Sequence, residues 1–188
     1  MRIIMRRIFI VIGLLLGASI SQANTEIQNV FGWVENATLE PMGAKVKAKL
    51  DTGALTSSMH AVDVERFEKD GEEWVRFKVK VEDQNEKEMV SETFERPIYR
   101  DLTVRGAGGK DDRPVVLMKI CFGNTIYEEQ FGLDNRSDML YPVLIGRRTI
   151  QHLGVVDVTN TFMHEPKCDE NSPVQAFDKN NTDADIGS

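Results

Sequence analysis

The sequence predicts an all-β domain of short strands with one short helix near its C-terminal end. Two segments, Lys45–Leu50 and Trp74–Val81, alternate polar and apolar residues with the period of a half-buried strand. Phe122-Gly123-Asn124 separates two apolar runs, Val115–Cys121 and Thr125–Phe131, as a hairpin turn does. Turn signals recur along the whole chain and helical periodicity is scarce, which points to a barrel or sandwich rather than to a layered α/β fold.

In chain order, the start reads as a targeting segment. Arg2, Arg6 and Arg7 precede the apolar run Ile8–Ala18, and Ser21-Gln22-Ala23 supplies the small residues of a cleavage site. Residues 1–23 are therefore expected to be a signal peptide, the run being short for a membrane span; an uncleaved anchor is the alternative. Removing three arginines and no acid takes the formal charge from −7 to −10. Such a surface disfavours nucleic acid and anionic lipid as partners. About 165 residues remain, enough for one domain with a real core. The expectation is an exported protein, periplasmic or secreted, with no membrane attachment once the signal is removed.

Residues 24–30 form a polar lead-in, and residues 31–168 the expected domain. Phe31–Glu35 begins it as a short strand. Lys45–Leu50 runs directly into Asp51-Thr52-Gly53, so the aspartate sits where a strand turns over. Asp83–Lys87 reads as a turn, Met89–Phe94 and Ile98–Val104 as weaker strands, and Gly106–Asp112 as a mobile glycine-rich loop. Val143–Ile145 is a short apolar strand closed by Gly146, Thr149–Leu153 one helical turn, and Val155–Val158 a last strand. From Asp169 apolar residues nearly vanish, so residues 169–188 are expected to be a disordered acidic tail.

Cys121 and Cys168 are the only cysteines. In an oxidising compartment they can form one bridge tying the tail to the core, or remain two separate thiols; sequence supplies no distance between them. Their spacing is not that of a zinc site.

Asp-Thr-Gly is weak evidence alone, and Asp51 could simply close an Asx-type turn. Its setting adds weight. It follows an alternating strand, precedes Ala54 and the cluster Thr56-Ser57-Ser58, and is followed 95 residues later by Gly146 in Val143-Leu144-Ile145-Gly146-Arg147. Leu50-Asp51-Thr52-Gly53-Ala54 resembles the catalytic signature of retropepsin-like aspartic proteases, and Leu144-Ile145-Gly146-Arg147 is similar to their second signature. Leu50–Ala61 further resembles the bacterial family labelled ATP-dependent zinc proteases, whose domain is considered retropepsin-like.

The resemblance covers roughly Gly32–Val158 and implies a closed retropepsin-like barrel. It casts Asp51, Thr52 and Gly53 as catalytic residues, with Ala54, Leu144, Ile145, Gly146 and Arg147 in support. With one Asp-Thr-Gly per chain, a two-aspartate site requires a homodimer, and the substrate would be a peptide or protein. The distance between the motifs exceeds that of the compact viral enzymes, so insertions lie between them. Either the loop at 106–109 or the hairpin near 83–87 could serve as flap. Where the viral enzymes place an acid to pair with the arginine, this chain has Leu55, leaving Arg147 in need of another partner.

No cofactor is expected. Gly106–Asp112 lacks the Ser/Thr and spacing of a phosphate loop. No His-Glu-x-x-His helix exists, and His60, His152 and His164 are the only histidines, so no metal is expected either. Three readings stay open: a dimeric aspartic endopeptidase, a non-catalytic peptide- or protein-binding module on the same fold, and, more remotely, a metal-dependent hydrolase.

Overall fold

The computed structural model describes residues 29–106 and 109–179. The expected signal peptide and most of the lead-in lie outside them, as do 107–108 and 180–188. The strands are β1 (Val30–Gly32), β2 (Val34–Glu40), β3 (Ala44–Leu50), β4 (Ser57–His60), β5 (Val62–Lys69), β6 (Glu72–Glu82) and β7 (Met89–Pro97). There follow β8 (Arg100–Gly106), β9 (Gly109–Phe122), β10 (Thr125–Asp134), β11 (Val143–Ile145), α1 (Arg147–Leu153), β12 (Val155–Asp157) and β13 (Val174–Gln175).

The all-β expectation holds, and the pairings close a ring. β10 pairs with β4, β4 with β11, β11 with β3, β3 with β2, β2 with β9, and β9 returns to β10. Closure leaves the ring strands without bare edges. Long β9 makes it possible: Lys119–Cys121 bonds β2 on one side and β10 on the other. Its earlier half leaves the ring and pairs with β8 as a projecting hairpin. The interior is filled by alternate residues, among them Val46 and Ala48 of β3, Ile120 and Phe122 of β9, and Phe131 of β10.

The hairpin expected at Phe122-Gly123-Asn124 forms, with Gly123 at φ +57, where a Cβ would be strained. The alternation of Trp74–Val81 is realised in β6. Val75, Phe77, Val79 and Val81 are buried while Arg76 and Lys80 face out. Burying each such aromatic or aliphatic side chain contributes about 1.5–3 kcal/mol before entropy is counted. The sheet β5-β6-β7 occupies residues 62–97, between the two motifs.

Earlier in the chain, Ser57–His60, which begins in the Ser/Thr cluster, forms β4, a buried ring strand. Two local expectations are revised. The glycine-rich stretch is largely strand, since Gly109–Asp112 belongs to β9 and bonds β8. Residues 169–179, expected as part of a disordered tail, hold a turn at Asp169–Ser172, the β13 pairing with Ile126–Tyr127, and Phe177 edge-on to Tyr99 at 5.1 Å.

Two features tie this C-terminal segment down. Buried Glu35 accepts the backbone N–H groups of Gly32, Met163 and His164 at 2.6–3.0 Å, replacing the hydration it lost on burial. Cys121 and Cys168 are disulfide-bonded. No helix among the described residues is long and apolar enough to cross a membrane.

The bridge closes a loop of sequence separation 47. Replacing both cysteines by serine should therefore lower unfolding stability by about 4 kcal/mol on the chain-entropy argument. Urea denaturation checks it; an unchanged midpoint would show that the bridge adds nothing.

Candidate active site

Asp51 stands at the end of β3, on a loop whose tip residues Thr52 and Gly53 are exposed. β3 and β4 flank this loop, and β11 inserts between them, parallel to β3 and antiparallel to β4. The two sequence motifs, 95 residues apart, thereby become hydrogen-bonded neighbours. Asp51 N–H donates to the Ile145 carbonyl at 2.8 Å, and Arg147 and Arg148 N–H donate to the carbonyls of Ala54 and Leu55 at 2.9 and 3.1 Å.

Gly146 is fixed by space. A Cβ there would lie 2.7 Å from the Thr56 carbonyl carbon and 2.8 Å from the Leu55 oxygen. Gly53 is fixed by its approach to the Asp51 carboxylate. Its φ is not positive, but a Cβ would crowd Asp51 Oδ1 at 3.1 Å, and its N–H donates to that same oxygen at 3.0 Å. The other carboxylate oxygen, Oδ2, accepts Lys49 Nζ at 2.9 Å. Lys49 and Asp51 are two residues apart, so the strand's period puts both side chains on one face. Lys49's hydrogen bond is the leading cause that holds the Asp51 carboxyl below the usual range, opposed by partial burial and helped by Gly53.

Arg147 finds its partner in the loop itself. Nη1 donates to the Thr52 carbonyl at 2.9 Å and reaches Gly53 O at 3.4 Å, clasping the turn where the viral enzymes use an acid. The Thr52 side chain is exposed. Ile145 is fully buried, whereas Leu144 faces a cavity.

A polar chain beneath the loop was not anticipated. Ser57 Oγ accepts the Gly146 N–H at 3.0 Å and bonds Thr149 Oγ1 at 2.8 Å. Thr149 in turn reaches Glu129 Oε2 at 3.4 Å, and Glu129 Oε1 meets His152 Nδ1 at 2.6 Å. Sequence signalled Ser57 and Thr149 only as members of a Ser/Thr cluster and a helical turn. Beside it, Arg136 Nη1 donates to Ser58 Oγ at 2.9 Å and its N–H to His60 Nδ1 at 2.9 Å. Burial and then the Arg136 charge hold His60 below its ordinary pKa. His164 Nε2 bonds the Val30 carbonyl at 2.7 Å, so the three histidines sit in three separate places. No group of three His, Cys, Asp or Glu side chains among the described residues is arranged to hold a metal ion.

A cavity of about 1090 Å³ opens beside the loop. Lys49 and Ala54 line it, whereas Asp51, between them in sequence, does not contribute to its wall. Leu102, Thr103 and Val104 of the β8–β9 hairpin face it. The turn near 83–87 lies elsewhere, against the start of β3, where Asp83 Oδ2 accepts Lys45 N–H at 2.8 Å. The cavity walls carry five cations, Lys49, Arg100, Arg113, Arg136 and Arg148, against one acid, Asp134. Arg113 Nη1 is 2.7 Å from Asp134 Oδ2, close enough for an ion pair though not aligned as a hydrogen bond.

This arrangement agrees with the family comparison: residues 30–167 match the RimB-like family, described as retropepsin-like aspartic endopeptidase RimB. The chain belongs to the RimB-like family. Among solved structures, a protein of unknown function from Legionella pneumophila is 34% identical, with a TM-score of 0.61 over 72% of this chain and 98% of that one. A probable α-L-glutamate ligase from Shewanella pealeana is 32% identical over 62% of this chain and 25% of its own length. Another, from Desulfotalea psychrophila, is 30% identical over 60% and 24%. The chain thus spans about a quarter of the length of these curated relatives, whose names differ from the zinc-protease label suggested by residues 50–61.

Two outcomes follow from the site's packing. Gly146→Ala should destabilise the fold by about 1–3 kcal/mol, because the new methyl meets backbone that cannot rotate away; thermal or urea unfolding reads it. His152 is held above its ordinary pKa, chiefly by Glu129. Its ion pair therefore adds stability that is fully present below about pH 6.5 and is lost as pH rises through the folded pKa. Glu129→Gln should lower the His152 titration in NMR and shrink the stability difference between roughly pH 5 and roughly pH 9.

Proposed function

We propose that the chain is an exported aspartic-type endopeptidase whose active form is a homodimer, each copy contributing Asp51. The observation that carries this reading is the Asp51 loop itself. It projects Thr52 and Gly53 outward, fixes the carboxylate by the Gly53 N–H, and anchors its backbone to β11. A two-fold axis beside such a loop would set the Asp51 side chains of two copies facing each other.

At about 3 Å, two carboxyl groups share one proton. The ionised one takes a proton from water as the water oxygen attacks the peptide carbonyl carbon, and the protonated one gives its proton to the carbonyl oxygen. The tetrahedral diol then collapses. One carboxylate recovers a hydroxyl proton, the carbonyl re-forms, and the C–N bond breaks as the nitrogen accepts a proton from the other carboxyl. In this reading Thr52 bonds across the two copies, and the β8–β9 hairpin, which faces the cavity, is the flap.

The substrate class follows from charge. A cavity with five cations and one acid, in a chain of formal charge −7, favours an acidic peptide. Relatives named as α-L-glutamate ligases make glutamyl peptides the first class to test. One observation favours a second reading, a non-catalytic module binding such peptides: within a single chain both Asp51 oxygens already have partners, Lys49 and Gly53.

The test compares cleavage of glutamate-containing and glutamine-containing peptides by the mature chain and by Asp51→Asn. The endopeptidase reading expects Asp51→Asn to lose at least about a hundredfold in rate, and specific activity to rise with protein concentration. Equal cleavage by both chains would end it. A chain that binds the acidic peptides and cleaves none would establish the second reading.

A further inference from the structure

We propose that Lys49 determines specificity by exchanging partners. It holds Asp51 in the lone chain and passes to a carboxylate of an acidic peptide entering the adjacent cavity, which frees Asp51 for its counterpart in the second copy. This deepens the endopeptidase reading and rests on it.

The geometry supplies both ends of the exchange. Lys49 Nζ sits 2.9 Å from Asp51 Oδ2, and the same lysine lines the cavity wall while Asp51 does not. An occupant of the cavity therefore meets Lys49 before it meets the carboxylate that lysine covers. The Lys49 side chain is 37% exposed and sits on a flexible four-carbon stem, so its head can move several ångströms without backbone change. An ion pair this exposed is weak and easily replaced by another carboxylate.

Chemistry requires the exchange. An ammonium hydrogen-bonded to Asp51 favours the ionised carboxylate, whereas a two-aspartate site needs one member protonated. Lysines on both copies in the same place would keep both carboxylates ionised and repelling. The other groups facing Asp51 do not substitute for Lys49. Gly53 and Ala54 offer backbone N–H groups, Arg147 is engaged with the Thr52 and Gly53 carbonyls, and Arg136 acts only through its charge at longer range. An acidic residue entering the cavity supplies the missing partner, so the peptide that fits the cavity's charge is also the one that releases Asp51. A neutral peptide of the same size leaves the ion pair closed.

The test uses the full mature chain and carbon-detected NMR of the Asp51 carboxyl, assigned with Asp51→Asn. The probes are a reduced-amide tetraglutamate, which cannot be hydrolysed, and its glutamine counterpart. Lys49→Met should move the Asp51 titration upward without any ligand. In the unmodified chain the tetraglutamate should move it in the same direction and the glutamine probe should not. In Lys49→Met neither probe should move it further.

With cleavable peptides, the preference for glutamate over glutamine in kcat/KM should fall by about tenfold or more in Lys49→Met. Lys49→Gln, which keeps a polar head, carries the same expectations should the methionine variant fail to fold. An Asp51 titration unchanged by both substitutions would overturn the proposal. So would a titration that responds to the substitutions but not to tetraglutamate. These readings do not depend on turnover, so equal cleavage by Asp51→Asn would end the endopeptidase reading separately.

Discussion

The insertion of β11 between β3 and β4 is the constraint on which the site depends. The two outer strands are joined by the Asp51 loop, and the strand between them arrives from 95 residues downstream. Its arrival supplies the Ile145 carbonyl to Asp51 N–H and brings the Gly146 backbone within contact distance of Thr56. The first residues of α1 then cap the loop's carbonyls. A side chain at 146 would push these layers apart, so the small residue and the loop geometry are one requirement.

Charge is distributed unevenly around that frame. The chain is acidic overall, yet the charged residues lining the cavity beside the loop are four arginines and Lys49 against Asp134 alone. Two of those cations share one acceptor: Arg100 and Arg148 both donate to Thr56 Oγ1, at 2.9 and 3.1 Å. Such hydrogen bonds fix a guanidinium's position at the cavity wall, which is what recognition of an anionic ligand calls for. The surface sheet β5-β6-β7 contrasts with this. Its cations face acids in pairs such as Arg76 with Glu95 and Lys78 with Asp63, and such exposed pairs contribute little.

Much of this was legible where side chains alternate. Lys45–Leu50 and Trp74–Val81 declared β3 and β6 because their polar faces meet water and their apolar faces meet the core. The hairpin at Gly123 was legible because its conformation excludes most residues. β4 was hidden for the opposite reason. Ser57, Ser58 and His60 look like loop residues, and they are buried because each finds a partner far away in sequence, in Gly146 and Thr149, Arg136, and the Arg136 backbone. The start of β9 was hidden by Asp111, Asp112 and Arg113, which a projecting hairpin can expose. Of the site, Asp51 and Gly146 were visible through their motifs. The Lys49 contact follows from the period of β3 only once the strand is known to continue to Asp51, and the clasp of Arg147 depends on a neighbour 95 residues away, which no local pattern encodes.

On the proposed reading, one active site takes an Asp51 from each of two chains. The most direct measurement is cleavage of a glutamyl peptide at a fixed amount of unmodified chain while Asp51→Asn is titrated in. Inhibition should be progressive as mixed dimers replace active ones, approaching complete loss at large excess. Cleavage that stays constant at every ratio would contradict that reading and place the chemistry within a single chain.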